Sequence, residues 1–204
     1  MKKVRVPLEN HSYDILIGQD LILNFPDYLE GVLSRKFIAI ITDKNVENLH
    51  LSRLVTALSE ARIETKTLSI DPGEGSKSWK TLQTTVEWML ANKIERNDMV
   101  VALGGGVVGD LVGFAAAILR RGIRFIQCPT SLLAQVDSSV GGKTGINTQH
   151  GKNLVGSFYQ PSKVISDIST LITIKERDFL AGYGEVVKYG LLGDYDFYCW
   201  LEAN

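Results

Sequence analysis

Short apolar runs alternate along the chain with longer stretches in which apolar residues recur every three or four positions. Residues 37–41 and 99–103 are almost continuously apolar, which is typical of β-strands covered on both faces. Leucines and valines in residues 49–58 have helical spacing instead. This alternation predicts an α/β fold with a doubly covered, mostly parallel sheet.

The whole pattern divides the chain into strands, helices and one irregular stretch. The predicted strands cover residues 4–8, 13–17, 37–41, 63–70, 99–103, 124–128 and 164–168. The predicted helices cover residues 21–33, 49–58, 79–90, 107–119, 175–192 and 196–202. Residues 135–161 have no regular period, so we expect a long functional loop there. In a parallel sheet, ligands bind beyond the carboxyl ends of the strands, so the loops at 42–45, 71–77, 104–110 and 129–131 are the candidate binding loops.

Composition and charge narrow the possible partners. The 204 residues are 45% hydrophobic and carry 22 basic and 23 acidic side chains, for a net charge of -1. A chain of this kind folds, and it has no general attraction for nucleic acid or a membrane surface, so we expect neither partner. The amino terminus lacks a continuous apolar segment, which favours a cytoplasmic location. Glycines and Asp110 interrupt the apolar window 99–119, which therefore predicts a strand, a turn and a helix rather than a membrane span.

Three glycines, Gly104, Gly106 and Gly109, have G-x-G-x-x-G spacing between a predicted strand and a predicted helix. Such a turn lets the backbone approach a phosphate, and the positive end of the helix dipole favours the anion. The acidic residue usual about 20 positions later in dinucleotide folds is absent from the sequence at 124–127. Asp43 could hold a ribose instead, or it could simply cap the next helix.

Two further loops carry charged residues that are compatible with more than one role. Glu74 and Lys77 follow a predicted strand and are either nucleotide contacts or solvated charges. The sequence at 142–144, Gly-Lys-Thr, resembles the end of a P-loop. Asp137 stands where that motif requires its first glycine, which disfavours a nucleoside-triphosphatase.

The irregular stretch contains Asp137, Lys143, Lys152 and Asn153. A carboxylate, two ammonium groups and an amide suit a small polyhydroxylated anion, although a solvated flexible loop is equally compatible with these residues. Nearer the carboxyl end, Glu185 and Lys188 share one helix face, as a surface ion pair or as ligands. The three histidines have no mutual metal-binding spacing; they are His11, His50 and His150.

Five ordered blocks of sequence together resemble the 3-dehydroquinate synthases, which are sugar-phosphate cyclases. The blocks cover residues 104–114, 121–127, 135–144, 151–156 and 185–190. The resemblance implies a Rossmann-like NAD-binding domain over residues 1–168, and the beginning of a mainly helical metal and substrate domain over residues 169–204. It implies conversion of 3-deoxy-D-arabino-heptulosonate 7-phosphate to 3-dehydroquinate and phosphate. The expected steps are transient oxidation by NAD, β-elimination, reduction and intramolecular aldol closure.

The resemblance also implies roles for individual residues. The expected NAD contacts are Asp43, Asn45, Glu74, Lys77, Gly105, Gly106, Val107, Val108, Gly109, Asp110, Thr130, Ser131, Lys143, Lys152, Thr170, Leu171, Ile172 and Thr173. The expected catalytic and substrate residues are Asp137, Lys143, Asn153, Lys188 and Arg121, with Arg121 reaching the phosphate in the partner subunit of a homodimer. Glu185 would be one ligand of a catalytic divalent metal, zinc or cobalt.

The sequence departs from the family at Ser131, where threonine is expected, and at Leu119, where tyrosine is frequent. Family members also continue beyond Asn204 and take two histidine metal ligands from that region, so we expect a truncated polypeptide with weak NAD binding and no turnover of its own. Three alternatives stay open. They are another cyclase of the 2-deoxy-scyllo-inosose synthase type, a polyol dehydrogenase of the glycerol dehydrogenase type, and a noncatalytic NAD-binding fragment.

Overall fold

The computed structural model describes residues 1–9, 11–29 and 31–204. Seven strands form one sheet in the order β1-β2-β9-β6-β5-β3-β4, and β7 pairs with β8 in a separate antiparallel hairpin. Neighbours in the large sheet are parallel except β1 and β2. The strands are β1 (Lys2–Val6), β2 (Tyr13–Gly18), β3 (Phe37–Asp43), β4 (Glu64–Ile70), β5 (Met99–Gly104), β6 (Arg124–Pro129), β7 (Lys143–Thr148), β8 (Gly151–Phe158) and β9 (Lys163–Asp167).

Helices connect the parallel strands and follow the last one. They are α1 (Lys44–Val46), α2 (Ser52–Glu60), α3 (Trp79–Ala91), α4 (Gly106–Ile118), α5 (Glu176–Gly193) and α6 (Tyr195–Ala203). A π-helical turn, Glu47–Leu51, joins α1 to α2, and a 3-10 helix, Ile168–Thr173, follows β9. Side chains fix several helix starts, since Ser78 accepts a hydrogen bond from the Thr81 amide at α3 and Asp194 accepts one from the Phe197 amide at α6.

The central strands β3 and β5 are buried on both faces, as their apolar runs predict. Ile41 on one face packs in a cluster that includes Leu111 of α4. Ile40 on the other face packs in a cluster that includes Leu54 of α2. Each such buried side chain contributes about 1.5–3 kcal/mol relative to an exposed one. The predicted α/β class with helices on both faces of a mostly parallel sheet is confirmed.

The helix predicted over residues 21–33 is wrong. Turns and a five-residue 3-10 helix, Phe25–Leu29, occupy the described part of this stretch, and Glu30 lies outside the described residues. Leu21, Ile22 and Phe25 are nevertheless buried, so core contact accounts for their spacing. The Ile22 amide donates to the Asp167 carboxylate at 2.9 Å, so a distant side chain satisfies this backbone group.

The irregular loop predicted over residues 135–161 is also wrong. A π-helical turn, Ala134–Ser138, begins it, and the hairpin of β7 and β8 fills most of the rest. Ile146 is fully buried in the cluster on α4, which holds the hairpin against the sheet domain. Glycines in both strands dilute the alternating pattern, which is why the sequence did not reveal them.

The other predicted elements are confirmed within a few residues at their ends. Because β3, β4, β5 and β6 are parallel, their following loops meet at one edge of the sheet, as predicted. Within the described ranges, no helix is long and apolar enough to cross a membrane. The division into domains at residue 168 stays a prediction.

Candidate functional site

The loops after β3, β5 and β6 line a cleft of about 630 Å³, which we call the glycine-turn cleft. Its opposite wall is the end of the 3-10 helix and the start of α5. Eight of the predicted site residues line it: Asp43, Asn45, Gly105, Gly106, Val107, Thr130, Ser131 and Thr173. The structure thus brings residues from four separate loops to one side of the sheet.

Asp43 ends β3 and caps α1. Its carboxylate oxygen Oδ1 accepts hydrogen bonds from the amides of Asn45 at 2.9 Å and Val46 at 3.1 Å. The capping interpretation is therefore correct. Asp43 also lines the cleft, so it remains able to accept a hydrogen bond from a ligand hydroxyl there.

The glycine turn between β5 and α4 presents an open helix terminus. Gly105 occupies the cap position, and no side chain of the described residues caps α4. A Cβ on Gly106 would lie 2.8 Å from the Ser138 hydroxyl, so glycine allows Ser138 to pack closely against the turn. The first residues of an α-helix have no intrahelical acceptor for their amides. The first amides of α4 are therefore available to an anion.

The end of β6 forms the floor of the cleft. The Thr130 amide donates to the Gly104 carbonyl at 3.0 Å, which joins this floor to the glycine turn. Thr130 is almost fully buried, whereas Ser131 is half-buried and its hydroxyl lies 3.4 Å from the Ala134 amide. Both residues supply hydroxyl groups beside the open terminus of α4.

A buried ion pair lies behind the glycine turn. The Lys77 Nζ lies 2.5 Å from Asp110 Oδ2 and 2.5 Å from the Asn153 amide oxygen. Only 5% of the Lys77 side chain and 19% of the Asp110 side chain are exposed. Burial raises the pKa of Asp110, although the Lys77 ammonium opposes that rise. The pair connects the loop after β4 to α4 and to the hairpin.

A second cavity of about 560 Å³, which we call the hairpin cavity, lies between α4 and the hairpin. Four of the predicted residues line it: Asp110, Asp137, Lys143 and Asn153. Lys143 and Asp137 are exposed to it, and Asn153 has a left-handed φ of 57°. Because the Asp110 carboxylate is paired with Lys77, the cavity presents one ammonium, one further carboxylate and an amide, which together can hydrogen-bond a polar ligand.

A third, shallow cavity of about 610 Å³ holds Glu74 and Lys152, with Lys77 in its wall. The Asn147 amide group donates to Glu74 Oε1 at 2.7 Å. The Lys152 Nζ lies 4.0 Å from the same carboxylate oxygen, with both side chains largely exposed. These two predicted contacts face each other at the edge of the hairpin.

Glu185 and Lys188 form an ion pair on one face of α5, as their spacing predicts. The Glu185 carboxylate raises the pKa of Lys188. The Tyr189 hydroxyl lies 3.2 Å from Asp137 Oδ1, which joins α5 to the hairpin-cavity side. In the parts of the chain described, no three side chains of His, Cys, Asp or Glu are grouped to hold a metal.

Several predicted residues do not line the glycine-turn cleft. Val108 is buried, Gly109 lies against Gln127, and Thr170 is buried with its hydroxyl donating to the Asp167 carbonyl. Leu171 and Ile172 are absent from the cleft lining that the structure describes, and Ile172 is 84% exposed. Arg121 is exposed just beyond the carboxyl end of α4, about 20 Å of helix away from the glycine turn.

Sequence reasoning also missed part of the cleft lining. The added residues are Val46, Asn48, Leu49, His50, Leu133, Ile174, Lys175, Asp178 and Ala181. Pro72 and Gly73 also line the cleft and belong to the predicted binding loop at 71–77. Lys175 and Asp178 lie in the first turn of the helix predicted over residues 175–192. This position is the only local feature of the sequence that could have indicated them as site residues. Nothing in the sequence distinguishes the inward-facing His50 from an ordinary helical residue.

Comparisons with known proteins identify relatives of this chain. The curated 3-dehydroquinate synthase of Ruegeria sp. (strain TM1040) is 57% identical over 201 residues, covering 98% of this chain and 54% of that protein. The 3-dehydroquinate synthase of Ruegeria pomeroyi is 56% identical over 204 residues, covering all of this chain and 55% of that protein. The chain thus spans about half the length of these curated relatives.

Solved structures of sugar-phosphate cyclases have the same fold. A 2-deoxy-scyllo-inosose synthase complexed with carbaglucose-6-phosphate, NAD+ and Co2+ superposes with a TM-score of 0.84 at 27% identity, over 92% of this chain and 50% of that one. A 2-epi-5-epi-valiolone synthase from Streptomyces hygroscopicus with NAD+ and Zn2+ gives 0.85 at 30% identity, over 94% and 52%. A family profile described as 3-dehydroquinate synthase N-terminal matches residues 67–181, more than half of the chain. The chain belongs to the 3-dehydroquinate synthase family.

Proposed function

We propose that this chain is the NAD-binding half of a 3-dehydroquinate synthase. The observation that carries the proposal is the open amino terminus of α4, set in a cleft that Asp43, Thr130 and Ser131 line from neighbouring loops. Family membership and the NAD+ bound in the related cyclase structures support it. The reaction is the phosphate-eliminating cyclisation of 3-deoxy-D-arabino-heptulosonate 7-phosphate, which makes the enzyme a carbon–oxygen lyase.

NAD fits the glycine-turn cleft by the chemistry of its lining. Gly106 and Val107, which begin α4, line the cleft, and their amides suit the pyrophosphate because no side chain caps this helix terminus. Asp43 and Asn45, on the β3 side, offer oxygen and amide groups to a ribose. Thr130 and Ser131 provide hydroxyls on the floor. The remaining predicted contacts, including Glu74, Lys77 and Lys152, would lie toward the hairpin.

The substrate would occupy the hairpin cavity, which adjoins the glycine turn across Ser138. Bound NAD supplies hydride acceptance and return. Lys143 would pair with an anionic group of the substrate, while Asn153 and Asp137 would hydrogen-bond its hydroxyls. The Lys77 and Asp110 pair fixes the wall on which Asn153 stands, so it would keep the reacting carbon aligned.

The metal does not fit this chain by itself. Within residues 1–9, 11–29 and 31–204 the only predicted ligand is Glu185, and its carboxylate is paired with Lys188 rather than grouped with other ligands. The related cyclases were solved with Co2+ or Zn2+, so a divalent metal and Glu185 as one of its ligands stay predictions. A homodimer in which Arg121 serves the partner, and a cytoplasmic location, also stay predictions.

A second candidate is another sugar-phosphate cyclase, since the 2-deoxy-scyllo-inosose synthase shares the fold at 27% identity. The 3-dehydroquinate synthases are favoured because their identity to this chain is 56–59%. A glycerol dehydrogenase from Schizosaccharomyces pombe is 20% identical with a TM-score of 0.65 and shares the fold alone.

Calorimetric titration of the chain with NAD tests the proposal, and two variants separate the roles of Asp43. Asp43→Asn keeps a capping oxygen but loses the charge that favours a ribose hydroxyl pair, whereas Asp43→Ala loses both. We expect saturable one-site binding, weaker by about tenfold in Asp43→Asn at unchanged melting temperature. Asp43→Ala should also lose about 1 kcal/mol of stability. Absence of NAD binding to the unmodified chain would contradict the proposal.

A further inference from the structure

One side-chain contact ties the two walls of the glycine-turn cleft together. His50 Nε2 lies 2.9 Å from the Thr173 hydroxyl, although the residues are 123 positions apart in the chain. His50 belongs to the π-helical turn on the β3 side and is 2% exposed. Thr173 ends the 3-10 helix on the opposite wall. A π-helical turn is rare in proteins and is found frequently at functional sites.

The hydrogen bonds around the Thr173 hydroxyl indicate which nitrogen of His50 carries the proton. The Thr173 hydroxyl donates its only proton to the Thr170 carbonyl at 2.8 Å. It must therefore accept from His50, so Nε2 carries the imidazole proton. Nδ1 of the neutral ring is then an acceptor; it is buried and has no hydrogen-bond partner among the described residues. A proton on Nδ1 would bury a donor and a charge there.

The surrounding charges favour the same neutral state. Burial lowers the pKa of His50, and the Arg53 guanidinium lowers it further, while Asp167 acts in the opposite direction. Arg53 is itself paired with Asp20 at 2.8 Å, and the Asp167 carboxylate accepts hydrogen bonds from backbone amides. The cleft lining adds Asp43, Lys175 and Asp178.

We propose that His50 is a positioning residue for NAD: as the neutral Nε2–H tautomer it joins the π-helical turn to Thr173 and fixes the width of the cleft. The inference rests on the proposed function and goes beyond it, because it assigns to His50 the role of holding Thr173 in place. The contact fastens the β3 wall, which carries Asp43 and Asn45, to the wall that begins α5. Without the contact, part of the binding free energy of the cofactor would be spent on ordering the two walls, and the affinity would be lower.

Four single variants, one double variant and one control variant of the 204-residue chain test the inference by calorimetric titration with NAD at neutral pH. His50→Leu and Thr173→Val each remove the contact, and each should weaken NAD binding about tenfold. Their combination should be no weaker than either alone, since both remove the same hydrogen bond. His50→Gln places an amide donor near Nε2 and Thr173→Ser keeps the hydroxyl, so both should recover most of the affinity. His11→Leu, an exposed histidine between β1 and β2, is the matched control.

The outcomes separate the inference from the proposed function. If the unmodified chain binds NAD and His50→Leu binds it equally well, the inference is wrong and the proposed function stands. If the unmodified chain binds no NAD, both are wrong. Nitrogen-15 NMR of the imidazole gives a readout without NAD: a Nε2–H tautomer that persists at pH 6.5 supports the inference, and a Nδ1–H tautomer overturns it.

Discussion

Replacing Lys77 by methionine tests how much the buried ion pair beside the glycine turn contributes to stability. Methionine has nearly the length of lysine, so the chief loss is the ammonium that lies 2.5 Å from both Asp110 and Asn153. The variant leaves the Asp110 carboxylate mostly buried without its counter-ion. Removal of one partner from a buried pair costs about 3 kcal/mol, which for a domain of this size lowers the melting temperature by roughly 6–12 °C.

The pH dependence of the stability of Lys77→Met shows whether the loss of stability is electrostatic. Burial already raises the pKa of Asp110 above that of an unfolded aspartate, and loss of Lys77 would raise it further. A carboxyl group whose pKa is higher in the folded state than in the unfolded state contributes most to stability when the pH is below its unfolded-state pKa. That contribution is lost as the pH rises through the folded-state pKa. The deficit of Lys77→Met relative to the unmodified chain should therefore be largest at pH 7.5 and shrink toward pH 5.

Chemical denaturation at pH 5.0, 6.0 and 7.5 measures these differences, with Asp110→Asn as the matched control. Asp110→Asn removes the carboxyl group whose pKa is raised, so adding Lys77→Met to that variant should cost a similar amount at all three pH values. The double variant should be more stable than the sum of the two single losses predicts. A Lys77→Met deficit that is equal at all three pH values, with additive losses in the double variant, would refute the electrostatic account.

Two further predictions concern stability. Gly113→Ala would place a Cβ 2.5 Å from the Thr144 methyl, so α4 and the hairpin should separate slightly at a cost of about 1–3 kcal/mol in urea denaturation. Gly184→Ala, which meets no described atom within 4 Å, should stabilise α5 by up to about 1 kcal/mol; equal effects of the two would contradict this packing. Burial pushes the pKa of Asp98 up, but the Arg35 guanidinium at 2.5 Å holds it below its ordinary value overall. Stability should therefore fall as the pH drops below about 4, and Asp98→Asn should flatten that acid limb of a thermal-denaturation profile.

The parallel sheet could be predicted because its central strands are buried on both faces. Strands buried on both faces need apolar residues at every position, so β3 and β5 are continuous apolar runs. In the helices between them, apolar residues recur every three or four positions. Once the strands are parallel, the loops that follow them must meet at one edge. The grouping of Asp43, Gly106 and Thr130 follows from that topology.

Elements held by distant contacts could not be predicted. The segment after β2 has helical spacing but forms turns, and the Asp167 carboxylate accepts a hydrogen bond from its Ile22 amide across 145 positions. The hairpin of β7 and β8 depends on Ile146 packing beneath α4, which no local pattern reveals. The contact between His50 and Thr173 also joins residues far apart in the chain, so no local pattern marks His50 as a candidate residue.

A crystal structure of this chain with NAD would show whether the glycine-turn cleft holds the cofactor. We expect a pyrophosphate hydrogen-bonded to the first amides of α4, with a ribose beside Asp43 and the nicotinamide end directed toward the hairpin cavity. NAD bound elsewhere on the chain, with the amides of Gly106 and Val107 free of contact, would contradict this expectation.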